Sequence, residues 1–554
     1  MSSEELIERR RRRRNSDVLG QPLTWLCGGA LALNILLVLA LLALLALNGL
    51  SYFWQRPLHL LTLRDGRRLL GEVHQREAVP GVTLGNGESA ARIQLKVGNR
   101  DLGGADFLWI DERDIVEHTY PEDAVVLERL EWGNFYGFPV ELKDGAEIIA
   151  RGPEPLWPAL AGLHREKRAQ HDAIRTLEDG EIADVNYEIE ELRLAARRRA
   201  LKDLPEAERQ RDEDRLSGRR QQKEAVYQEL ERRLFEMRER WLGEQLVMEA
   251  ADGSRKSIPV GHIVRFLRPN RMGALEGVGL YVSRIWEFIA HDPRESNTEG
   301  GVFPAIFGTV MMVFIMSFAV TPLGILAALY LREYARQGAL VRIVRIAVNN
   351  LAGVPSIVFG VFGLGFFVYV IGGTIDRLFH SEALPTPTYG TGGILWASLT
   401  LALLTVPVVI VATEEGLAAV PRSIREGSLA LGATKLETVW RVVIPASAPA
   451  ILTGMILAMA RAAGEVAPLM IVGMVKLAPT LPVDLHFPFV HLERKFMHLG
   501  FHIYDLGFQS PNVDAATPLV FATALLLVAV VTIMNLGAIF FRNYLRRRYA
   551  SAPF

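Results

Sequence analysis

The chain has 554 residues, of which half are hydrophobic and 22% are charged, and its formal net charge is −1. The length allows two or three domains, and the single cysteine, Cys27, excludes an internal disulfide. The apolar and the charged residues are segregated along the chain. Residues 24–48 and 302–541 consist mostly of apolar runs, whereas residues 52–300 are dense in charge.

Six apolar runs are long enough to cross a membrane, since a spanning helix needs about 20 such residues. The predicted transmembrane helices are 24–48, 302–331, 346–375, 390–413, 449–475 and 515–541. The first run is longer than the roughly 7–15 apolar residues of a cleaved signal peptide, so we expect a retained anchor. Buried helices of a large soluble protein are the alternative, and they would not predict the charge pattern that accompanies these runs.

Basic residues are concentrated in every second segment that precedes, joins or follows the apolar runs. Arg9–Arg14 precede the first run, and further arginines and lysines follow the second, fourth and sixth. Cytoplasmic loops carry an excess of Lys and Arg, so all these segments are assigned to the cytoplasm. The sequence therefore predicts a multi-pass protein in which residues 1–23 and 542–554 are basic cytoplasmic termini.

Residues 52–300 are then predicted to be an inserted extracytoplasmic domain. Three Asp-Gly pairs lie between segments of alternating apolar residues, at 65–66, 144–145 and 252–253. Asp-Gly in that setting is a strong signal for a β-hairpin. We therefore expect β-rich parts at 57–150 and 244–268.

A charged helical segment separates these β-rich parts. Within about 159–242, apolar residues recur at spacings of three and four among Arg, Glu and Ala. This pattern predicts two long helices packed as an antiparallel coiled-coil hairpin that reverses at Leu204-Pro205. The charges are of mixed sign, which is typical of a solvated coiled coil rather than a nucleic-acid surface, so we expect no nucleic-acid partner.

The cytoplasmic loop 414–445 is predicted to form a helix, a break at Gly432, a short amphipathic helix and then Pro445 before the fifth span. Glycine takes a left-handed conformation at little cost, so it suits a helix stop. An exposed helix–turn–helix of this kind is suited to docking into a groove of another protein. A simple connector is the alternative interpretation.

The spacing of this loop resembles the signature of the type I permeases of binding-protein-dependent ABC importers. That signature is Glu-Ala-Ala, three residues, Gly, nine residues and Ile-x-Leu-Pro. The matching residues here are Glu426, Gly427, Ser428, Gly432, Val442, Ile444 and Pro445, so both alanines are replaced. The resemblance covers roughly residues 275–545 and the first span.

This resemblance implies an all-α polytopic membrane domain of six transmembrane helices in the bacterial inner membrane, with the permease core at 302–541. It also implies that the 414–445 loop couples the core to an ATPase dimer. The chain has no Gly-x-x-x-x-Gly-Lys-Ser/Thr segment and no His-Glu-x-x-His or Cys-x-x-Cys pattern. We therefore expect no enzyme activity, metal or cofactor on this chain, and ATP-Mg on the partner ATPase.

Two charged residues, Arg461 and Glu465, interrupt the fifth predicted span. Arg461 is about 12 residues into that run, near mid-membrane at ~1.5 Å per residue. Residues four apart share a helix face and can pair. The pair can be purely structural, or the guanidinium can donate two hydrogen bonds to an oxyanion in transit.

The segment 460–469, Ala-Arg-Ala-Ala-Gly-Glu-Val-Ala-Pro-Leu, is similar to the phosphate-specific (Pst) permeases, in particular their PstA-type half. Residues 349–365 and 321–325 resemble the same family, whose members have only a short segment in place of 52–300. The resemblance implies that Arg461 and Glu465 line a phosphate pathway. It also implies three partners, namely a second permease in a heterodimer, an ATPase dimer and a periplasmic phosphate-binding protein.

Two alternatives remain at this stage. One is an importer permease for another oxyanion, such as sulfate, molybdate or a phosphonate, because an Arg–Glu pair does not separate oxyanions by itself. The other is a membrane-anchored sensor or scaffold with the coiled coil as receptor. A sensor needs an output domain, and the segments assigned to the cytoplasm are short loops and a basic tail.

Overall fold

Six helices of the computed structural model are long and apolar enough to cross a membrane, within the residues that it describes, 3–83, 89–202, 205–510 and 513–550. We number them span 1 to span 6: Thr24–Ser51, Phe303–Tyr334, Ser356–Phe379, Ile394–Ala419, Lys435–Gly464 and Ala516–Arg547. The prediction of six transmembrane helices with an inserted domain that contains β-sheets is confirmed.

Helix α1 (Ser3–Ser51) contains span 1 and leads into two antiparallel sheets. The first sheet has the order β4-β3-β2-β1-β5, with helix α2 (Arg100–Gly103) before β4. Its strands are β1 His59–Leu63, β2 Arg68–Thr83, β3 Ser89–Lys96, β4 Phe107–Asp111 and β5 Ile115–Thr119. The second sheet begins with β6 Val125–Arg129, β7 Phe135–Asp144 and β8 Glu147–Arg151.

Three helices separate β8 from the rest of the second sheet. They are α3 Pro153–Thr176, α4 Ala183–Ala200 and α5 Glu206–Leu242, with a π-helical segment, Leu177–Ile182, joining α3 to α4. The remaining strands are β9 Glu244–Glu249, β10 Arg255–Pro259 and β11 Ile263–Leu267. The sheet order is β10-β9-β7-β6-β11, and β8 pairs with β7.

All three predicted Asp-Gly hairpins form. Strand β1 pairs with β2, β7 with β8, and β9 with β10, each in the antiparallel sense. The glycines Gly66, Gly145 and Gly253 have φ of +86°, +56° and +86°. Side chains disfavour that region of backbone conformation, which explains why glycine occupies each turn.

The predicted helical hairpin is present, with α3 and α4 as one arm and α5 as the other. Leu177, Val185 and Leu230 are buried between the arms. The first arm begins at Pro153 rather than near residue 159, because proline is well suited to the first turn of a helix. Leu204 of the predicted reversal lies outside the described residues.

The remaining elements form the membrane bundle and its connections. Strands β12 Pro293–Arg294 and β13 Glu299–Gly300 pair between α6 and α7. The helices are α6 Ala274–Ala290, α7 Phe303–Leu329, α8 Ala339–Leu351, α9 Ser356–Phe362, α10 Gly373–Phe379, α11 Ile394–Ala419, α12 Arg422–Ala430, α13 Lys435–Thr438, α14 Ile444–Gly464, α15 Ala467–Val472, α16 Leu499–Tyr504 and α17 Val513–Ala550. The bundle core contains Met312, Met316, Leu401, Ala458 and Ala462.

Two predicted spans, 346–375 and 449–475, are not single helices. The first is interrupted by a turn between α8 and α9, and span 3 begins at Ser356. Pro355 lacks an N–H and disfavours helical geometry in the residue before it, so the chain turns there. The second is interrupted after Gly464, because glycine weakens the helix and Pro468 is well suited to the first turn of a new one.

The helical hairpin is attached to the bundle at the end that carries residues 52–300, which we call the insertion end. Asp184 of α4 lies 3.0 Å from His486, between Nε2 and Oδ1, and the Tyr187 hydroxyl donates to the Phe487 carbonyl. Arg198 forms an ion pair with Glu382. Asp184 and Arg198 are about 21 Å apart along the helix axis, so α4 lies across the loops after span 3 and after α15.

The insertion end also contains a buried histidine pair, His498 and His502. The pKa of each is lowered to about 4, by burial for His498 and by burial together with the nearby Lys476 charge for His502. The nearby Asp505 carboxylate is paired with Lys476 at 3.1 Å. An unfolded histidine titrates near pH 6.5, so the unfolded chain binds more protons than the folded chain between about pH 6.5 and 4.

We therefore expect stability to fall with the pH across that window, by about 2 kcal/mol for each histidine between pH 7 and pH 5. The measurement is the apparent melting temperature of the purified protein in detergent at both pH values. The variant His502→Phe, whose ring cannot titrate, should lose about half of the pH dependence. Equal melting temperatures of the unmodified protein at pH 7 and pH 5 would contradict this account.

Candidate functional site

The first candidate site is the break in the fifth transmembrane segment, after Gly464. Helix α14 runs antiparallel to α11, and Gly454 packs against Ala412. Arg461 is seven residues further on, about 10 Å along the axis, which brings it level with the middle of span 4. Beyond the break, α15 and Gly473 continue to the start of span 4, where Gly473 packs on Gly392 and Gly393.

An unwound segment in the middle of a bundle leaves backbone groups without helical partners. In a membrane such segments are tolerated only where they are buried in protein or line an aqueous cavity. Discontinuous helices of this kind form substrate sites in many transporters. The break therefore brings polar backbone groups into the interior of the bundle.

Arg461 and Glu465 lie on either side of this break. The structure places Arg461 in the last turn of α14, while Glu465 has left the helix with a ψ of 133°. The expectation that both share a helix face is therefore wrong, because the helix ends between them. Their side chains still pair, with 3.5 Å between Arg461 Nε and Glu465 Oε1.

The pair is partly open rather than enclosed. The Arg461 side chain is 36% exposed and that of Glu465 is 21% exposed. Leu457 and Gly464, which are on the same helix face as Arg461, are also exposed. Charged residues within a membrane face a protein interior or a cavity, so this face of α14 is not suited to lipid.

Span 3 supports the break through Gly360 of α9. A Cβ at Gly360 would lie 2.7 Å from the Pro468 Cα, whereas a Cβ at Gly365 would meet nothing within 4 Å. Both glycines lie in the 349–365 segment that resembles the Pst permeases, and the sequence does not distinguish them. The contact joins residues more than one hundred positions apart, which the local pattern does not indicate.

Gly360→Ala should therefore lower the apparent melting temperature by several degrees, because overpacking costs about 1–3 kcal/mol. Gly365→Ala is the matched control and should be neutral or slightly stabilising, since alanine favours a helix over glycine. Thermal unfolding in detergent measures both variants. A Gly360→Ala protein as stable as the control would show that α9 and α15 do not pack this closely.

The second candidate site is the loop 414–445 at the opposite end of the bundle. Helix α12 ends before Gly432, whose φ is +88°, and α13 begins after the N-cap Thr434. Thr434 and Glu437 form a capping box, with the Thr434 N–H donating to Glu437 Oε2 at 2.9 Å. The predicted helix and the break at Gly432 are present, but the second short helix is not separate. It continues through Val439–Val443 into α14 and forms the start of span 5, with Pro445 inside the helix.

Polar contacts hold this loop in one shape against the bundle. The Ser428 and Thr438 hydroxyls are 2.9 Å apart, which joins the two short helices. Arg425 Nη2 lies 3.1 Å from Glu333 Oε1 at the end of span 2. Neither the Ser428–Thr438 contact nor the Arg425–Glu333 pair was predicted from the sequence.

Four large apolar side chains of this loop are exposed, next to charged residues such as Arg422, Glu426 and Lys435. We call these four the coupling surface, and its members are Leu429, Leu431, Leu436 and Trp440. Of the residues in the loop signature, Glu426, Gly427 and Gly432 are exposed, whereas Ser428, Val442, Ile444 and Pro445 are half-buried. A Cβ at Gly427 would meet nothing within 4 Å, so the alanine of the family signature would fit there.

Comparison with known proteins agrees with this architecture. Residues 320–551 match the family model described as "Binding-protein-dependent transport system inner membrane component". That range contains both the helix break and the loop with its preserved spacing. Residues 320–551 are similar to this family, and we refer to them as the permease domain.

Curated relatives match the permease domain over shorter stretches. The phosphate transport system permease protein PstA of Yersinia pestis is 38% identical over 183 residues, covering 33% of this chain and 56% of that protein. PstA of Mycobacterium leprae is 35% identical over 196 residues, 35% of this chain and 59% of that protein. The probable ABC transporter permease protein YqgH of Bacillus subtilis is 33% identical over 195 residues, covering 35% of this chain and 59% of that protein.

The chain thus spans less than two thirds of the length of each of these relatives. The family match begins at residue 320, so the insertion lies outside it. The permease domain includes Arg461, Glu465 and the whole coupling surface. The similarity to PstA proteins supports the PstA-type resemblance of the sequence.

Proposed function

We propose that this chain is the transmembrane permease subunit of an ATP-driven importer of inorganic phosphate. The single observation that carries the proposal is the Arg461–Glu465 pair at a helix break, 3.5 Å apart and partly open. This pair lies in a permease domain similar to proteins named as PstA phosphate permeases. A guanidinium in a low-dielectric bundle is a strong, planar donor to an oxyanion.

Glu465 gives the pair a second chemical role. Its carboxylate orients Arg461 and accepts a hydrogen bond from a protonated phosphate oxygen. Sulfate has no such proton at neutral pH, so its oxygens repel the carboxylate. The pair therefore favours hydrogen phosphate over sulfate, although the arginine alone binds both.

The proposed subunit works with three partners. The exposed face of α14 carries a charge that does not suit lipid, so a second permease closes the path there as a heterodimer. The coupling surface receives an ATPase dimer, which binds ATP-Mg, while this chain binds no cofactor. A periplasmic phosphate-binding protein delivers cargo at the insertion end, with both termini cytoplasmic.

Competition between oxyanions tests the cargo. In vesicles with the complete complex and its binding protein, a hundredfold excess of sulfate should reduce ATP-dependent uptake of labelled phosphate by less than half. Unlabelled phosphate at the same excess is the control and should abolish the signal. Equal competition by sulfate or molybdate would show an importer of another oxyanion.

A further inference from the structure

Helix α6, which joins the insertion to span 2, has an exposed apolar stripe. Leu275 is 89% exposed and Trp286 is 66% exposed, and three further apolar side chains are exposed between and beyond them, namely Val278, Val282 and Ile289. The spacings of three, four, four and three residues put all five side chains on one narrow arc of the helix.

The other faces of α6 have partners in this chain. Phe288 is buried and packs against Phe53, with ring centroids 5.3 Å apart. On the polar face, Arg284 pairs with Glu128, and Glu287 lies 2.9 Å from Arg265. Both ion pairs attach α6 to strands of the insertion, so the exposed stripe points away from that domain.

The position of α6 along the bundle is fixed by the ends of three spans. Phe288, Tyr281 and Ile285 pack in one cluster with Phe53 after span 1, Val302 and Ala305 at the start of span 2, and Ala516 and Leu519 at the start of span 6. The Tyr281 ring also contacts Trp54, whose centroid is 5.9 Å away. Helix α6 therefore lies at the level where the membrane-spanning helices emerge.

We propose that α6 lies in the interfacial layer of the membrane leaflet at the insertion end, with its apolar stripe inserted among the lipids. An interfacial helix has one apolar face in the acyl boundary and one polar face in water, and tryptophans concentrate at this depth. Span 2, whose start packs in the same cluster as α6, also exposes apolar side chains, including Phe303 and Phe318. Lipid is the occupant because the neighbouring surface is already membrane surface.

This placement gives the insertion a fixed orientation. The polar face of α6 supports the sheets through Glu128 and Arg265, while the stripe holds the same helix at the membrane. The insertion is then attached on one side through α6 and on the other through α4 and the loops of the bundle. The inference depends on the six spans and not on the transported solute.

Fluorescence quenching of a labelled cysteine tests this placement. Cys27→Ser provides a background without cysteine. A bimane label is attached to Val282→Cys, and in a second protein to Val278→Cys, in the assembled complex in lipid vesicles. The controls are Phe318→Cys, exposed near the middle of span 2, and Phe235→Cys, exposed on helix α5 of the insertion.

Lipids with bromines near the headgroups should lower the emission at 282 and 278 at least twofold, and more than lipids with deep bromines. The label at 318 should respond most to deep bromines, and the label at 235 only to aqueous iodide. Quenching of both α6 labels by iodide alone would overturn the proposal. Protection from both quenchers would also overturn it, because protein would then cover the stripe.

Discussion

Replacing Arg461 with alanine should reduce ATP-dependent phosphate uptake about ten- to hundredfold. A hydrogen bond to a charged group contributes about 1.5–3 kcal/mol, and each 1.4 kcal/mol is a factor of ten in rate or binding. Arg461→Lys should recover only part of the loss, because an ammonium keeps the charge without the planar pair of donors. Uptake by vesicles that contain the assembled complex measures both variants.

The control for this experiment is Arg377→Ala. Arg377 is exposed at the end of α10 and donates to the Gly373 carbonyl of its own helix. Its removal should leave uptake unchanged. This result would show that the effect of Arg461→Ala is specific to that position and does not come from a general loss of positive charge. Assembly of the complex is monitored for each protein. Normal uptake by an assembled Arg461→Ala complex would contradict the transport role and would show that the pair with Glu465 is only structural.

Leu431→Asp should weaken binding of the ATPase at least tenfold and remove uptake with it. Leu431 is 91% exposed on the coupling surface, directly before Gly432. A few apolar side chains at the centre of an interface carry most of the binding energy, and a buried unpaired carboxylate adds a desolvation cost. Co-purification of the ATPase with the permease complex measures the effect.

Leu485→Asp is the matched control, since Leu485 is 93% exposed but lies in a loop at the insertion end. The variant should co-purify with the ATPase as the unmodified protein does. If Leu431→Asp retains the ATPase as well as this control does, the 414–445 loop is a connector and not a coupling element.

Local sequence signals predicted the parts of the fold that depend on neighbouring residues. The Asp-Gly turns at Gly66, Gly145 and Gly253 and the stop at Gly432 each require a positive φ that glycine supplies at low cost. Apolar runs longer than about 20 residues predicted the number of spans, because the length of a run alone decides whether it can cross a membrane. Each of these signals acts within one segment of chain.

Hydropathy alone did not predict where helices break inside an apolar run. Pro355 and Gly464–Pro468 lie inside runs whose average hydropathy fits a continuous span. The helices that follow the two breaks pack closely on each other, with Gly360 against Pro468. The pairing of Arg461 with Glu465 was expected, but from a helix geometry that the structure does not have.

The attachment of the insertion could not be predicted from local patterns. Arg198 and Glu382 are separated by 184 positions, and the Asp184–His486 contact joins similarly distant segments. The exposed stripe of α6 was part of a segment predicted to be extracytoplasmic. Its apolar spacing becomes informative only once Phe288 and Arg284 are seen to occupy the other faces.

The most direct test of the central claim is accumulation of labelled phosphate in vesicles that contain this chain with its partner permease, ATPase and binding protein. We expect accumulation that requires ATP on the side of the 414–445 loop and that is lost when this chain is omitted. Vesicles that hydrolyse ATP but accumulate no phosphate, while accumulating another oxyanion, would contradict the proposed cargo. Phosphate accumulation that continues without this chain would contradict its role as the permease.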